Sequence, residues 1–188
     1  MSDGEFERAS ESLAAFVLEQ AGQARSDLGF GWREAPDPPS TFEQVLDAYF
    51  QSCEDQANYP VATVGSDTSI YPSAKVNGAF RFWHDVTHVR LHCTFNYWDE
   101  RAVAEHHLTW LEAHGFARGS LEWLLLRADT VGQNEYHRLS GGFVADQRAF
   151  ALSAAEHGLG IALLHELHSS VPPPAAKAWK PAESRDAA

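Results

Sequence analysis

Lysine, cysteine and methionine are scarce in this chain. Its 188 residues hold two cysteines, one methionine and three lysines, Lys75, Lys177 and Lys180. Cys53 and Cys93 stand alone without C-x-x-C spacing, so neither a disulfide framework nor a thiolate zinc site follows. A reducing cytoplasm is the natural compartment. No apolar run approaches the roughly 20 residues that cross a bilayer, so no membrane association is expected. The opening MSDGEFERASES is acidic and does not read as a secretory signal. There is no glycine-rich phosphate loop, no G-x-G-x-x-G and no G-x-S-x-G elbow. Basic residues number 14 against 26 acidic ones, a formal charge of −12. Clustered Lys and Arg are what a nucleic-acid backbone requires, so direct duplex binding is not expected.

The charge is unevenly spread. Residues 1–60 hold 12 acidic residues against Arg8, Arg25 and Arg33, a balance of −9. The apolar fraction of 44% is ordinary for a globular chain. Length and composition suit one helical domain over 1–170, followed by a Pro- and Ala-rich tail over 171–188 expected to be disordered. Apolar periodicity gives helices near 6–25, 41–57, 76–92, 99–114, 120–139, 146–158 and 161–168. Gly and Pro break the chain around 29–40, and 58–75 reads as an extended loop with one short strand at most. The fold class expected is an all-α bundle of five to seven helices.

All ten histidines lie between His84 and His168. The clearest local signal is FRFWHDVTHVRLHC over 80–93. His84 and His88 share a helix face one turn apart, a spacing that lets two imidazoles hold one metal ion. Most of this helix is apolar; its polar stripe is Asn77, Arg81, His84, Asp85, His88 and His92. Such a stripe faces either a strip of solvent or an internal polar site. On the fourth helix, Glu100, His107 and His114 fall within the apolar arc. On the fifth, Glu135 falls inside the arc, with Asp129, Gln133 and Tyr136 near its edge. A carboxylate in such a position needs a cation or a hydrogen-bond donor, and the plain alternative is an arginine partner such as Arg81, Arg90 or Arg127. Three helices turning His and carboxylate groups inward is how bundles build metal sites. The expected ligands are His84, His88, Glu100 and either Glu135 or Asp129, with His92 and His107 in reserve. Asp85 and Asp129 are the candidates to move a proton.

Two patterns fit less well. His84-Asp85-Val86-Thr87-His88 has Asp where H-E-x-x-H peptidases carry Glu. Adjacent His84-Asp85 resembles the HD phosphohydrolases, but their pattern needs an earlier histidine and none precedes His84. A broader likeness rests on Ile70-Tyr71-Pro72-Ser73, on Val76-Asn77-Gly78-Ala79-Phe80-Arg81-Phe82-Trp83-His84-Asp85 with His88, on Gly132-Gln133 with Tyr136, and on Asp146-Gln147-Arg148-Ala149-Phe150. Together these resemble a pattern in bacteriophage-associated proteins of no assigned activity, over roughly residues 60–155. The resemblance implies a cytoplasmic setting in an infected or lysogenic bacterium, implies no reaction, and adds weight to His84, Asp85, His88 and Gln133.

The function expected is metal-dependent hydrolysis of a small phosphoester or nucleotide-like substrate, with a divalent zinc, manganese or iron ion. One alternative is a non-haem iron oxygenase, because two histidines and one carboxylate also make that triad. The other is a non-enzymatic acidic binding or inhibitor protein that engages a basic partner. A homo-oligomer is compatible with the pattern.

Overall fold

In the computed structural model, residues 2–62 and 66–170 are described; the expected tail over 171–188 lies outside them. Helix α1 is Asp3–Leu28, strand β1 Trp32–Glu34, helix α2 Phe42–Asp55 and strand β2 Tyr59–Val61. Helices α3, Ala74–Leu91, and α4, Tyr97–Ala113, follow. Next come α5, Leu121–Arg127, a π-helical turn, Ala128–Gly132, and α6, Gln133–Ser140. These three run on without leaving helical backbone angles and form one rod. Helices α7, Gln147–His157, and α8, Leu159–Ser170, end the described chain. The fold is all-α, with seven helices among the described residues when the rod counts once, plus one two-stranded sheet.

Local chemistry sets the helix ends. Glu5 Oε2 reaches back to the Ser2 backbone N–H at 2.8 Å, and Gly29 closes α1 in the left-handed region at φ 82°. Thr41 caps α2 by accepting from the Gln44 N–H. One face of α1 is buried through Phe6, Leu13, Phe16, Val17 and Ala21, in one apolar cluster with Phe82, Trp83, Leu108, Leu111 and Leu125 from α3, α4 and α5. Each such large side chain contributes about 1.5–3 kcal/mol by leaving water.

The sheet is a correction. Expectation allowed one short strand, near β2, and left 29–40 as a helix break. Trp32–Glu34 instead pairs with Tyr59–Val61 in parallel register, Trp32 opposite Tyr59. Parallel strands need a crossover, and α2 provides it. Three residues are too few to carry an alternating pattern, so the strand could not be seen in the sequence.

The hairpin of α3 and α4 positions the site. His92 ends α3 in the left-handed region at φ 54°, a conformation that costs a β-carbon residue some strain. Asn96 caps α4 by accepting from the Trp98 and Asp99 N–H groups at 2.9 and 3.1 Å. Asp99 Oδ2 in turn accepts from the Thr94 N–H and hydroxyl, at 2.8 and 2.7 Å. The connector is thus tied at both ends, which fixes Cys93 and Glu100 relative to α3.

Candidate metal centre

Except for the exposed His92, the polar stripe of α3 is buried or partly buried. His88 is fully buried and Asn77 nearly so. Across the hairpin, α4 buries Val103, Ala104, His107 and Leu111 on the face that also carries Glu100. Glu100 and His107 are seven residues apart, two turns along one face, and His84 sits between them.

Three donor atoms converge. His88 Nε2 lies 3.1 Å from His84 Nε2. Glu100 Oε2 lies 3.4 Å from His88 Nε2 and 3.5 Å from His84 Nε2. Ligand atoms bound at about 2.0–2.2 Å to a common ion stand about 3.0–3.5 Å apart, so this triangle has the size a metal ion requires. His84, His88 and Glu100 are a group close enough to hold one.

The outer ring nitrogens are fixed as well. His88 Nδ1 lies 3.0 Å from the Cys93 carbonyl oxygen. A carbonyl only accepts, so Nδ1 carries the hydrogen and, in the neutral ring, Nε2 keeps its lone pair toward the other donors. His84 Nδ1 lies 3.2 Å from His107 Nε2. His107 is fully buried, and its Nδ1 has no hydrogen-bond partner. Burial first, and then the neighbouring His84, His106 and His88, hold His107 well below its ordinary pKa and keep it neutral. The two ligand rings therefore each have a partner on the far side, the arrangement that orients ligating imidazoles. Phe95 stands edge-on to His88 at 4.8 Å, and Phe80 lies 5.7 Å from His84.

Electrostatics within the metal-free group follow the geometry. Burial alone raises the Glu100 carboxyl, but hydrogen bonds and charge from His84 and His88 overcome it and leave the group well below its ordinary value. Burial lowers His84, and its hydrogen bond and charge pairing with Glu100 overcome that and raise it.

The remaining expected residues divide. Asp85 accepts from the Tyr59 hydroxyl at 3.1 Å, and burial raises its pKa against the opposing fields of His84 and His88. Asp129 is pushed up to about 6 by burial, held back by the Tyr71 hydroxyl, Arg81 and His84. The buried Tyr71 hydroxyl faces Asp129 without closing a well-formed hydrogen bond. Both aspartates thus stand within the electrostatic field of the imidazoles.

Glu135 is not brought to the group. It accepts from the Tyr97 hydroxyl and from Arg138 at 3.1 Å, and Arg101 lies 3.5 Å away. The reason is the π-helical turn just before it. A π turn takes more residues than an α turn, so a 100° wheel drawn through 120–139 is rotated out of step beyond it. Leu139, expected to face inward, is 51% exposed for the same reason. Of the two reserve histidines, His107 supports His84, whereas His92 is exposed at the helix end. Tyr59, Tyr71 and the Cys93 carbonyl were not expected. Only His107 left a sequence trace, its seven-residue spacing from Glu100.

No family model, no curated protein and no solved structure matches the chain. Among the described residues, no helix is long and apolar enough to cross a membrane.

Proposed function

We propose that the protein is a metal-dependent hydrolase in which His84 Nε2, His88 Nε2 and Glu100 hold a divalent ion, acting on a small phosphoester or nucleotide-like substrate. The observation that carries this reading is the 3.1–3.5 Å triangle of donor atoms, with both imidazoles oriented from behind. Three protein ligands leave a position open for water or substrate, as in catalytic rather than structural zinc sites. The ion would supply a water of lowered pKa and a Lewis acid for a phosphoryl oxygen. Asp129, with a value near 6, is poised to exchange a proton near neutral pH. Asp85, tied to Tyr59, is the better candidate for a fixed negative charge beside the imidazoles. The setting we propose is the bacterial cytoplasm, which rests on the resemblance over residues 60–155.

The same donor set favours a second reading. Two histidines and one carboxylate are also the ligands of non-haem iron oxygenases. The test begins with elemental analysis of protein purified with divalent ions supplied. One equivalent of metal is expected in the wild type and none in a His84→Ala/His88→Ala double variant. A wild type without stoichiometric metal would sink both readings. Hydrolysis of a chromogenic phosphodiester with zinc or manganese supports the first reading; dioxygen uptake with iron(II) supports the second.

A further inference from the structure

We propose that a cleft where the end of α1, strand β1 and the start of α3 meet binds a small phosphate monoester carrying a flat ring. The cleft has a volume of about 340 Å³ and is lined by Arg25, Arg33 and Lys75. This is the opposite of what the chain's charge leads one to expect. Residues 1–60 contain three cations, and two of them meet here with one of the three lysines of the whole chain. Four other arginines are used against carboxylates, Arg90 on Asp27, Arg101 on Glu105, Arg118 on Glu112 and Arg138 on Glu135, while Arg127 and Arg148 lie over the Trp123 and Phe6 rings. Among the described residues, Arg25, Arg33 and Lys75 have no such ion pair. Glu34 also lines the cleft, which leaves two positive charges unbalanced. Like charges gathered at one place repel, and a bound anion relieves that repulsion.

The cleft is also built rather than merely charged. A Cβ on Gly31 would stand 3.3 Å from Arg25 Cδ, so the glycine gives the arginine stem room to lie across the backbone. The Gly31 N–H donates to Asn58 Oδ1 at 3.0 Å, which orients that amide and leaves its NH₂ to donate to a ligand. Trp32 lines the cleft and is stacked on Phe82, with centroids 5.6 Å apart and planes at 25°. Two guanidinium groups and an ammonium suit phosphate oxygens, and a supported indole suits a flat ring.

This site is separate from the metal centre. Lys75 precedes His84 by nine residues, half a revolution around α3 and about 13 Å along it. Its occupancy therefore does not depend on the metal reading.

The test titrates the full chain, in EDTA, with phenyl phosphate and with inorganic phosphate, and reads binding by calorimetry and by the Trp32 indole N–H resonance. Phenyl phosphate is expected to bind with a Kd near or below about 1 mM, and inorganic phosphate more weakly. Arg33→Gln/Lys75→Gln should weaken both by on the order of tenfold or more. Trp32→Leu should weaken phenyl phosphate alone. Because Arg33 and Lys75 are exposed, the double variant should melt like the wild type; the single Lys75→Gln variant repeats the test if it does not. Absence of binding by both probes at about 10 mM, or binding indifferent to the charge-removing variants, overturns the site. Equal weakening of both probes by Trp32→Leu overturns the flat-ring part.

Discussion

His88 Nδ1 lies 3.0 Å from the carbonyl oxygen of Cys93, two residues beyond the end of α3. The chain makes that carbonyl available by turning at His92 through a left-handed angle. The buried ring is thereby held with its Nε2 toward His84 and Glu100. His88→Ala should reduce metal affinity by more than about 100-fold, because even residues that only support ligands cost about 10–100-fold. His92→Gly should keep full metal affinity, since glycine adopts the left-handed turn without strain. Calorimetric titration of both variants with zinc checks the pair of outcomes. Loss of metal in His92→Gly would show that His92 is a ligand after all.

Metal binding should stabilise the fold, because the unfolded chain does not hold the three donors together. At a free metal concentration about 100 times Kd the gain is about 2.7 kcal/mol. For a domain of this size that raises Tm by about 5–10 °C. EDTA should reverse the shift. Glu100→Gln removes a charged donor and should lose most of it, which thermal melts with and without zinc will read directly.

The hairpin was largely legible from sequence. His84 and His88 were marked by i, i+4 spacing on a helix otherwise apolar, and Glu100 by its place in the apolar arc of the next helix. Those signals are local, and the α-helical period carries them faithfully. What stayed hidden depended on contacts between distant segments. The Tyr59 hydroxyl reaches Asp85 from a strand whose partner is three residues long. Glu135 looked inward only because the wheel ignored the π turn ahead of it. Nothing in ADTVG distinguishes a π turn from an α turn without the packing around it.

Asp129 makes stability depend on pH with a defined sign. Its carboxyl rises from an ordinary value near 3.8 to about 6 in the folded protein, chiefly through burial. Between those values the folded state binds more protons than the unfolded one, so stability falls as pH rises through the window. At about 1.36 kcal/mol per unit, the loss is at most ~3 kcal/mol between pH 4 and 7. Asp129→Asn should remove that contribution and flatten the decline in Tm over the same range. Metal-free melts at half-unit pH steps measure it. An unchanged slope in Asp129→Asn would place the carboxylate in solvent instead.

Gly132 closes the π turn at a point where neighbouring helices leave no room. A Cβ there would stand 2.8 Å from Phe150 Cε1 and 2.9 Å from Leu159 Cδ1. Real contacts of that kind do not occur that close, so the Phe150 and Leu159 side chains, or the turn itself, must give way. The backbone of Gly132 is ordinary right-handed helix, so space rather than conformation requires the glycine. Alanine would gain about 1 kcal/mol of intrinsic helix preference in an open position. Here overpacking should outweigh that gain and leave Gly132→Ala about 1–3 kcal/mol less stable. A compensating Leu159→Ala should recover part of the loss by vacating one of the two contacts, though it removes a partly buried apolar side chain of its own. The double-variant cycle, measured by urea unfolding, should therefore give a favourable coupling of about 0.5–2 kcal/mol. Strictly additive losses would mean that the turn itself yields and that the contact with α8 does not hold it in place.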